Sequence, residues 1–360
     1  MKLKSVRRSV AEVGPLIDVI SLLFLKNLRS ISIFDISAKD FSLVAAGCPK
    51  LKDIYANVVI WGNNDAEEMQ DFLVGASCSP VEISINLLVE EGFKMLAGSF
   101  PHLEILTIRI DAGYFDDPVR PDRFQPLGDL GLRKLIVDWS ESKGEWLNRH
   151  LESLLLHIFV SSSENQRKIS TSLEILKLVG GFEEEDGEEE EIKITFSAPF
   201  TSEYLPNLKS LAIPILPDTN KAFDLPRLTD LRIYDTNDML AIEVASFLSK
   251  AFLSSPVLAR VAIGNFLPGL WEYEEEVDTF FRCVKTMDRP WEFLLERSCD
   301  YRSSCADYLQ NLQTKAESFG LRLRVSYCDF DDYEFADCRR GCYCRQDKDT
   351  QTDKILSIDD

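Results

Sequence analysis

Apolar residues return along this chain at a repeated spacing. In Leu225-Pro226-Arg227-Leu228-Thr229-Asp230-Leu231-Arg232-Ile233-Tyr234 they fall at Leu228, Leu231 and Ile233. The same x-Leu-x-x-Leu-x-Leu pattern occurs at Leu28/Ile31/Ile33, Leu51/Ile54/Ala56, Leu103/Leu106/Ile108, Leu132/Leu135/Val137, Leu173/Leu176/Leu178, Leu208/Leu211/Ile213 and Leu258/Val261/Ile263, with weaker copies at Ile83/Ile85 and Leu323/Val325. Residues two apart on a strand share a face, so Leu231 and Ile233 are expected to point inward while Asp230, Arg232 and Tyr234 point outward. A lone strand of this kind cannot bury its leucines. Copies stacked side by side can, as a parallel sheet with a continuous apolar inner face. Pro49, Pro101, Pro206, Pro226 and Pro256 each stand two residues before the first leucine of a copy, where a fixed φ tightens the turn into the strand.

Between the strands the period changes to three and four residues. Segments 67–74, 87–96, 146–160, 241–253, 277–287 and 305–319 read as helices, and in the fourth of these Val244, Phe247, Leu248 and Ala251 share a face. Strand, helix and return to a neighbouring parallel strand form an α/β unit with right-handed crossings. Residues 291–295 read as one degenerate strand and 321–326 as the last, while 111–129, rich in Asp and Pro, reads as a long loop.

The pattern resembles the leucine-rich repeat family over roughly residues 25–326. Ala45-Ala46-Gly47-Cys48-Pro49-Lys50-Leu51-Lys52-Asp53-Ile54 is similar to the units in the repeat halves of F-box proteins. The resemblance implies an irregular leucine-rich-repeat solenoid, with a parallel sheet on the concave face and helices on the convex face. Two departures imply the irregularity. First leucines are spaced by about 20 to 41 residues, against the usual 20 to 29, and the asparagine of the family gives way to Ile36, Asp111, Ser140, Gly181, Leu216 or Thr236. Residues 1–27 are expected to hold a capping helix, with Val10, Val13, Leu16, Ile17, Ile20, Leu23 and Phe24 at helical spacing over 9–27. The alternative is an F-box remnant, but the stretch before the first repeat is shorter than a complete F-box. Residues 28–326 are expected to form the solenoid, of about ten irregular repeats, and 327–360 an acidic, cysteine-containing, disordered tail.

Composition narrows the function. A chain of 360 residues, 45% hydrophobic, can bury a large core. Its net charge of -20 excludes nucleic acid and anionic membrane as main partners, because phosphate neutralisation needs a basic surface. No apolar run reaches membrane-spanning length. Glu12, Pro15 and Asp18 interrupt what would be the apolar core of a signal peptide. Nine scattered cysteines point to reduced thiols and a cytoplasmic or nuclear protein. Residues 183–191 carry an acidic insertion that is either a solubilising loop or a lure for a basic partner.

Catalytic and metal-binding patterns are lacking. His150 and His157 lie seven apart in one expected helix and His102 precedes a strand, so no third ligand completes a site. Cys328, Cys338, Cys342 and Cys344 lack the paired C-x-x-C spacing of structural zinc. No nucleophile elbow, zinc-protease or phosphate-loop motif occurs. The expectation is no enzyme, no cofactor and no metal.

The outward strand positions remain. There Arg109, Lys134, Lys177, Arg232, Arg260, Arg322 and Arg324 outnumber the acids Asp53, Glu82, Asp138 and Asp230, with Tyr55 and Tyr234 among them. A basic, aromatic-dotted face on an acidic chain suits a protein partner with an acidic segment. Alternatively, these cations pair with acids on neighbouring strands. Tyr55, Arg109, Lys134, Lys177, Arg232, Tyr234, Arg260, Arg322 and Arg324 are the candidate partner-binding residues. The resemblance to F-box proteins implies substrate recognition for a ubiquitin ligase. A stand-alone interaction scaffold or inhibitor is the alternative.

Overall fold

Five of the strand entrances are built on the same four-residue turn. The Leu51 amide donates to the Cys48 carbonyl, Leu103 to Phe100, Leu208 to Leu205, Leu228 to Leu225 and Leu258 to Ser255, at 3.0–3.3 Å. A proline occupies the second position of every one of these turns, where its fixed φ matches what the turn requires. The first and last residues of the turn are buried, so it is pinned to the interior at both ends.

Just past the turn, successive strands are tied by a shared acceptor. The amides of Lys52 and Asp53 both donate to the Arg29 carbonyl; those of Val81 and Glu82 donate to Lys52, and those of Glu104 and Ile105 to Val81. The pattern continues unbroken through Glu104, Arg133, Glu174, Lys209 and Thr229, each carbonyl using both lone pairs. Register is thereby set at the entrance of each strand, whatever the length of the connection before it.

The computed structural model describes residues 27–37, 44, 47–59, 81–86, 97–98, 100–109, 121–138, 155–159, 168–179, 200–214, 223–234, 241–263, 274–285, 292–297 and 306–327. The strands are β1 (Ser30–Ser37), β2 (Asp53–Val59), β3 (Glu82–Asn86), β4 (Ile105–Arg109), β5 (Lys134–Asp138), β6 (Ile175–Val179), β7 (Ser210–Ile213), β8 (Asp230–Ile233), β9 (Arg260–Ile263), β10 (Glu292–Arg297) and β11 (Arg322–Tyr327). They form an 11-stranded sheet in sequence order, and every pairing is parallel. This is an α/β fold with an open parallel sheet.

Register aligns the inner residues into columns. Ile54, Ile83, Leu106, Leu135, Leu176, Leu211, Leu231 and Val261 stand side by side across β2 to β9. All are at most 2% exposed, so the column is dry from end to end. The helices α1 (Lys168–Ser172), α2 (Ala241–Ser254), α3 (Glu274–Lys285) and α4 (Ala306–Ser318) supply residues to the same core, among them Ile169, Phe247, Phe280 and Ala316. Phenylalanines link this layer edge to face: Phe223 lies 6.3 Å from Phe200 and 5.3 Å from Phe247.

The expected helices 241–253, 277–287 and 305–319 correspond to α2, α3 and α4, and residues 155–159 of the expected helix 146–160 are helical. The α3 helix starts three residues earlier than expected, at Glu274. The expected loop at 111–129 needs correction: Pro121–Asp129 is a 3-10 helix. Phe124, Leu127 and Leu130 recur every three residues, the 3-10 period, and all are buried. The α1 helix was not anticipated. The expected capping helix, the helices at 67–74 and 87–96, the acidic insertion and the tail beyond Tyr327 lie outside the described residues.

One turn carries a misfit. Where the other proline turns begin with Cys48, Phe100, Leu205 or Leu225, the last begins with Ser255, fully buried with no hydrogen-bond partner for its Oγ. A buried hydroxyl without a partner destabilises. Ser255→Ala is therefore expected to raise stability by roughly 1 kcal/mol, while Leu225→Ala at the equivalent position lowers it by about 2–5 kcal/mol. Denaturant titration of both variants measures the two signs.

Candidate functional site

The sheet has two chemically distinct faces. The inner face carries the columns; the outer face carries the alternate residues, and among the described residues none of these joins the core cluster. Ala212 and Ala262 make the separation plain. They are 3% and 8% exposed, yet lie outside that cluster, each in register with longer residues on the neighbouring strands. A parallel sheet ordinarily has both faces covered. Among the described residues, the helices contribute to one face only.

The outer face reads as rows. The first runs Ser30, Asp53, Glu82, Ile105, Lys134, Ile175, Ser210, Asp230, Arg260, Glu292, Arg322. The second runs Ser32, Tyr55, Ser84, Thr107, Ile136, Lys177, Ala212, Arg232, Ala262, Leu294, Arg324. Arg109 stands in a third row between Asn86 and Asp138. All the candidate binding residues on strands therefore share one face. Tyr55, Arg109 and Arg324 are placed by register alone.

These rows are not uniformly basic. At β8 to β11 the first row alternates in sign as Asp230, Arg260, Glu292, Arg322, and Arg260 approaches Asp230 at 3.7 Å. Glu292 was missing from the outward positions read from sequence, because the β10 pattern was too degenerate to phase. The Arg232 guanidinium lies over the Tyr234 ring at 5.9 Å, near the outer limit of a cation–π contact. Tyr234 is itself held by its amide donating to the Ile213 carbonyl, 2.9 Å. The middle of the face is different. Ile105, Ile136, Ile175 and Val179 are half-buried there, with Lys134 and Lys177 between them. The beginning, at Asp53 and Glu82, is acidic.

A second charged row edges the sheet just before the strands. Arg133 bridges Glu104 at 3.5 Å and Glu174 at 3.4 Å, and Lys209 reaches Glu174 at 3.0 Å. These four residues occupy the same repeat position, directly after the first leucine, and alternate in sign along β4 to β7. That signal was available by aligning the repeats column by column. The contacts raise the Arg133 pKa, chiefly through its hydrogen bond to Glu174, and lower the Glu174 carboxyl, chiefly through Lys209.

The remaining candidate chemistry is sparse. His102 is exposed in its turn and His157 is half-buried on a helix; His150 lies outside the described residues. Cys48 forms no disulfide, and burial pushes its thiol pKa up, which disfavours the reactive thiolate. Among the described residues no group of three or more His, Cys, Asp or Glu could hold a metal ion, and no helix is long and apolar enough to cross a membrane. The tail cysteines lie outside the described residues. No family model matches the sequence, and no curated protein matches it.

The lowered Glu174 pKa fixes the sign of a pH effect. A carboxyl held below its unfolded value stabilises the fold above that value, and the stabilisation is lost as pH falls through the folded pKa. Glu174→Gln is therefore expected to melt below the wild type at pH 7, with the two melting curves converging as pH falls through and below the ordinary glutamate range. Melting curves across that range check it; a pH-independent gap would assign the effect to packing.

Proposed function

We propose that this chain is a non-catalytic recognition scaffold that grips a protein partner on the outer face of its sheet. One observation carries the reading: a parallel sheet whose outer residues stand apart from the core and are met by no helix among the described residues. Supporting it, the recurring proline turn and strand make a repeat unit of the leucine-rich kind, and a solenoid of such units presents its sheet as an extended binding surface. In this reading the structure is an irregular leucine-rich-repeat solenoid in which the sheet lines the concave side.

The resemblance of Cys48-Pro49-Lys50-Leu51 and its copies to the repeats of F-box proteins gives the reading a specific form, a substrate-recognition subunit of a ubiquitin ligase. The alternative is a stand-alone scaffold or inhibitor. In either form the chain acts by binding, in the cytoplasm or nucleus, without cofactor or metal.

Pairing on the outer face decides which cations to alter. Arg260 already faces Asp230, so reversing its charge sets two carboxylates side by side and perturbs the sheet as well as binding. Lys134 lies among isoleucines, where a reversal alters the docking surface with less structural cost. Affinity capture from cells with the variant Lys134→Glu is expected to lose the wild type's stoichiometric partner by more than about tenfold while melting stays within a few degrees. Recovery of ligase components with the wild type favours the ubiquitin form. Equal capture by variant and wild type refutes the outer-face reading.

A further inference from the structure

Resting on that reading, we infer that Lys134 is the anchor of a specific subsite, one that takes a carboxylate flanked by aliphatic side chains on an extended segment of the partner. Ile105 and Ile175 stand beside Lys134 on the neighbouring strands, about 4.8 Å away across the sheet, and Ile136 lies two residues along its own strand, about 6.6 Å away. Three of the four outer-face directions around the lysine are therefore aliphatic. The fourth leads to the strand entrances, where Glu104 and Glu174 are the nearest carboxylates by position. Both are engaged: Arg133 bridges them at 3.5 and 3.4 Å, and Lys209 holds Glu174 at 3.0 Å. Among the described residues the Lys134 ammonium makes no ion pair or hydrogen bond, and the side chain is half-buried.

A cation in such a setting selects its ligand. The isoleucines hold the lysine stem along apolar surface and lower the local dielectric, so a carboxylate arriving there meets a stronger attraction than it would at an exposed ion pair. The same isoleucines leave apolar area that a charged ligand alone would not cover. A partner side chain that is acidic but flanked by alanine or serine satisfies only half of the site. Elsewhere in the same row the setting differs: Asp53 and Glu82 repel acidic segments at β2 and β3, Arg260 is engaged with Asp230 at β8 and β9, and Arg322 stands in register with Glu292. The middle strands are where an acidic, aliphatic segment fits.

The test uses the full chain with isoleucine δ1-methyl groups labelled for NMR and two synthetic peptides. One contains Leu-Ser-Glu-Ser-Leu, which in extended form sets both leucines and the glutamate on one face; its twin carries Gln for Glu. The expected result is saturable shifts of the Ile105, Ile136 and Ile175 methyls with the Glu peptide, binding about tenfold weaker with the Gln peptide, loss of that discrimination in Lys134→Met and its return in Lys134→Arg. Unshifted Ile54 and Ile83 methyls in each variant confirm the fold. Equal binding of both peptides, no binding, or shifts confined to other isoleucines would overturn the inference. So would binding that emerges only after residues 183–191 are replaced by Gly and Ser, since the occupant would then be the chain's own acidic run. The titration needs no native partner, so it can fail while outer-face capture persists, and the two readings are judged separately.

Discussion

The structure depends on one constraint: a short parallel strand with a single apolar edge has no stable existence unless the next strand arrives in the same register. The column from Ile54 to Val261 is where that condition is met, every member in register with its neighbour and hidden from water. Hydrophobic burial alone does not specify register, because a slip of two residues would also present leucines inward. The turn and the doubly accepting carbonyl supply the specificity. With the first leucine amide fixed on the turn and the next two amides fixed on the preceding strand, a slip would break both bonds to the shared carbonyl at once. This explains how connections of very different length coexist with an unbroken ladder.

Committing the leucines to one face leaves the other to electrostatics, and the charges there divide into two kinds. Those near the strand entrances and toward β9 are arranged in alternating sign, so that Glu104, Arg133, Glu174 and Lys209, like Asp230 and Arg260, offset one another across strands. They are exposed pairs, individually weak, and their main effect is to hold neighbouring strands without building up like charge. Lys134, in the middle of the sheet, has aliphatic neighbours instead. A chain with a net charge of -20 thus keeps a basic and apolar region in the middle of this face, between the acidic start at Asp53 and Glu82 and the mixed charges of β8 to β11. That contrast is the physical basis for proposing recognition at this face.

Much of the fold was legible because the strand signal is local and periodic. The spacing of Leu228, Leu231 and Ile233 gives a strand, its phase and its inward face, and its copies give a parallel sheet. Segments with a different period were harder. Phe124, Leu127 and Leu130 are spaced for a 3-10 helix, but the prolines at 121 and 126 suggested a loop, and the α1 helix is too short for any periodicity to show. The candidate face was legible in outline, since residues two apart must share it. Its charge balance was not: Glu292 becomes visible only when β10 is phased by its neighbours, and whether Arg260 is engaged depends on cross-strand distance. Lys134 and Arg260 look alike in sequence, and only register separates a lysine between isoleucines from an arginine beside an aspartate.

Methyl–methyl cross-relaxation in the isoleucine-, leucine- and valine-labelled chain tests the shared column most directly. The account predicts an ordered series of contacts, Ile83 with Leu106, Leu106 with Leu135, Leu135 with Leu176, Leu176 with Leu211 and Leu211 with Leu231, with Ile105, Ile136 and Ile175 absent from it. Contacts that skip strands, or outer isoleucines appearing within the series, would contradict it.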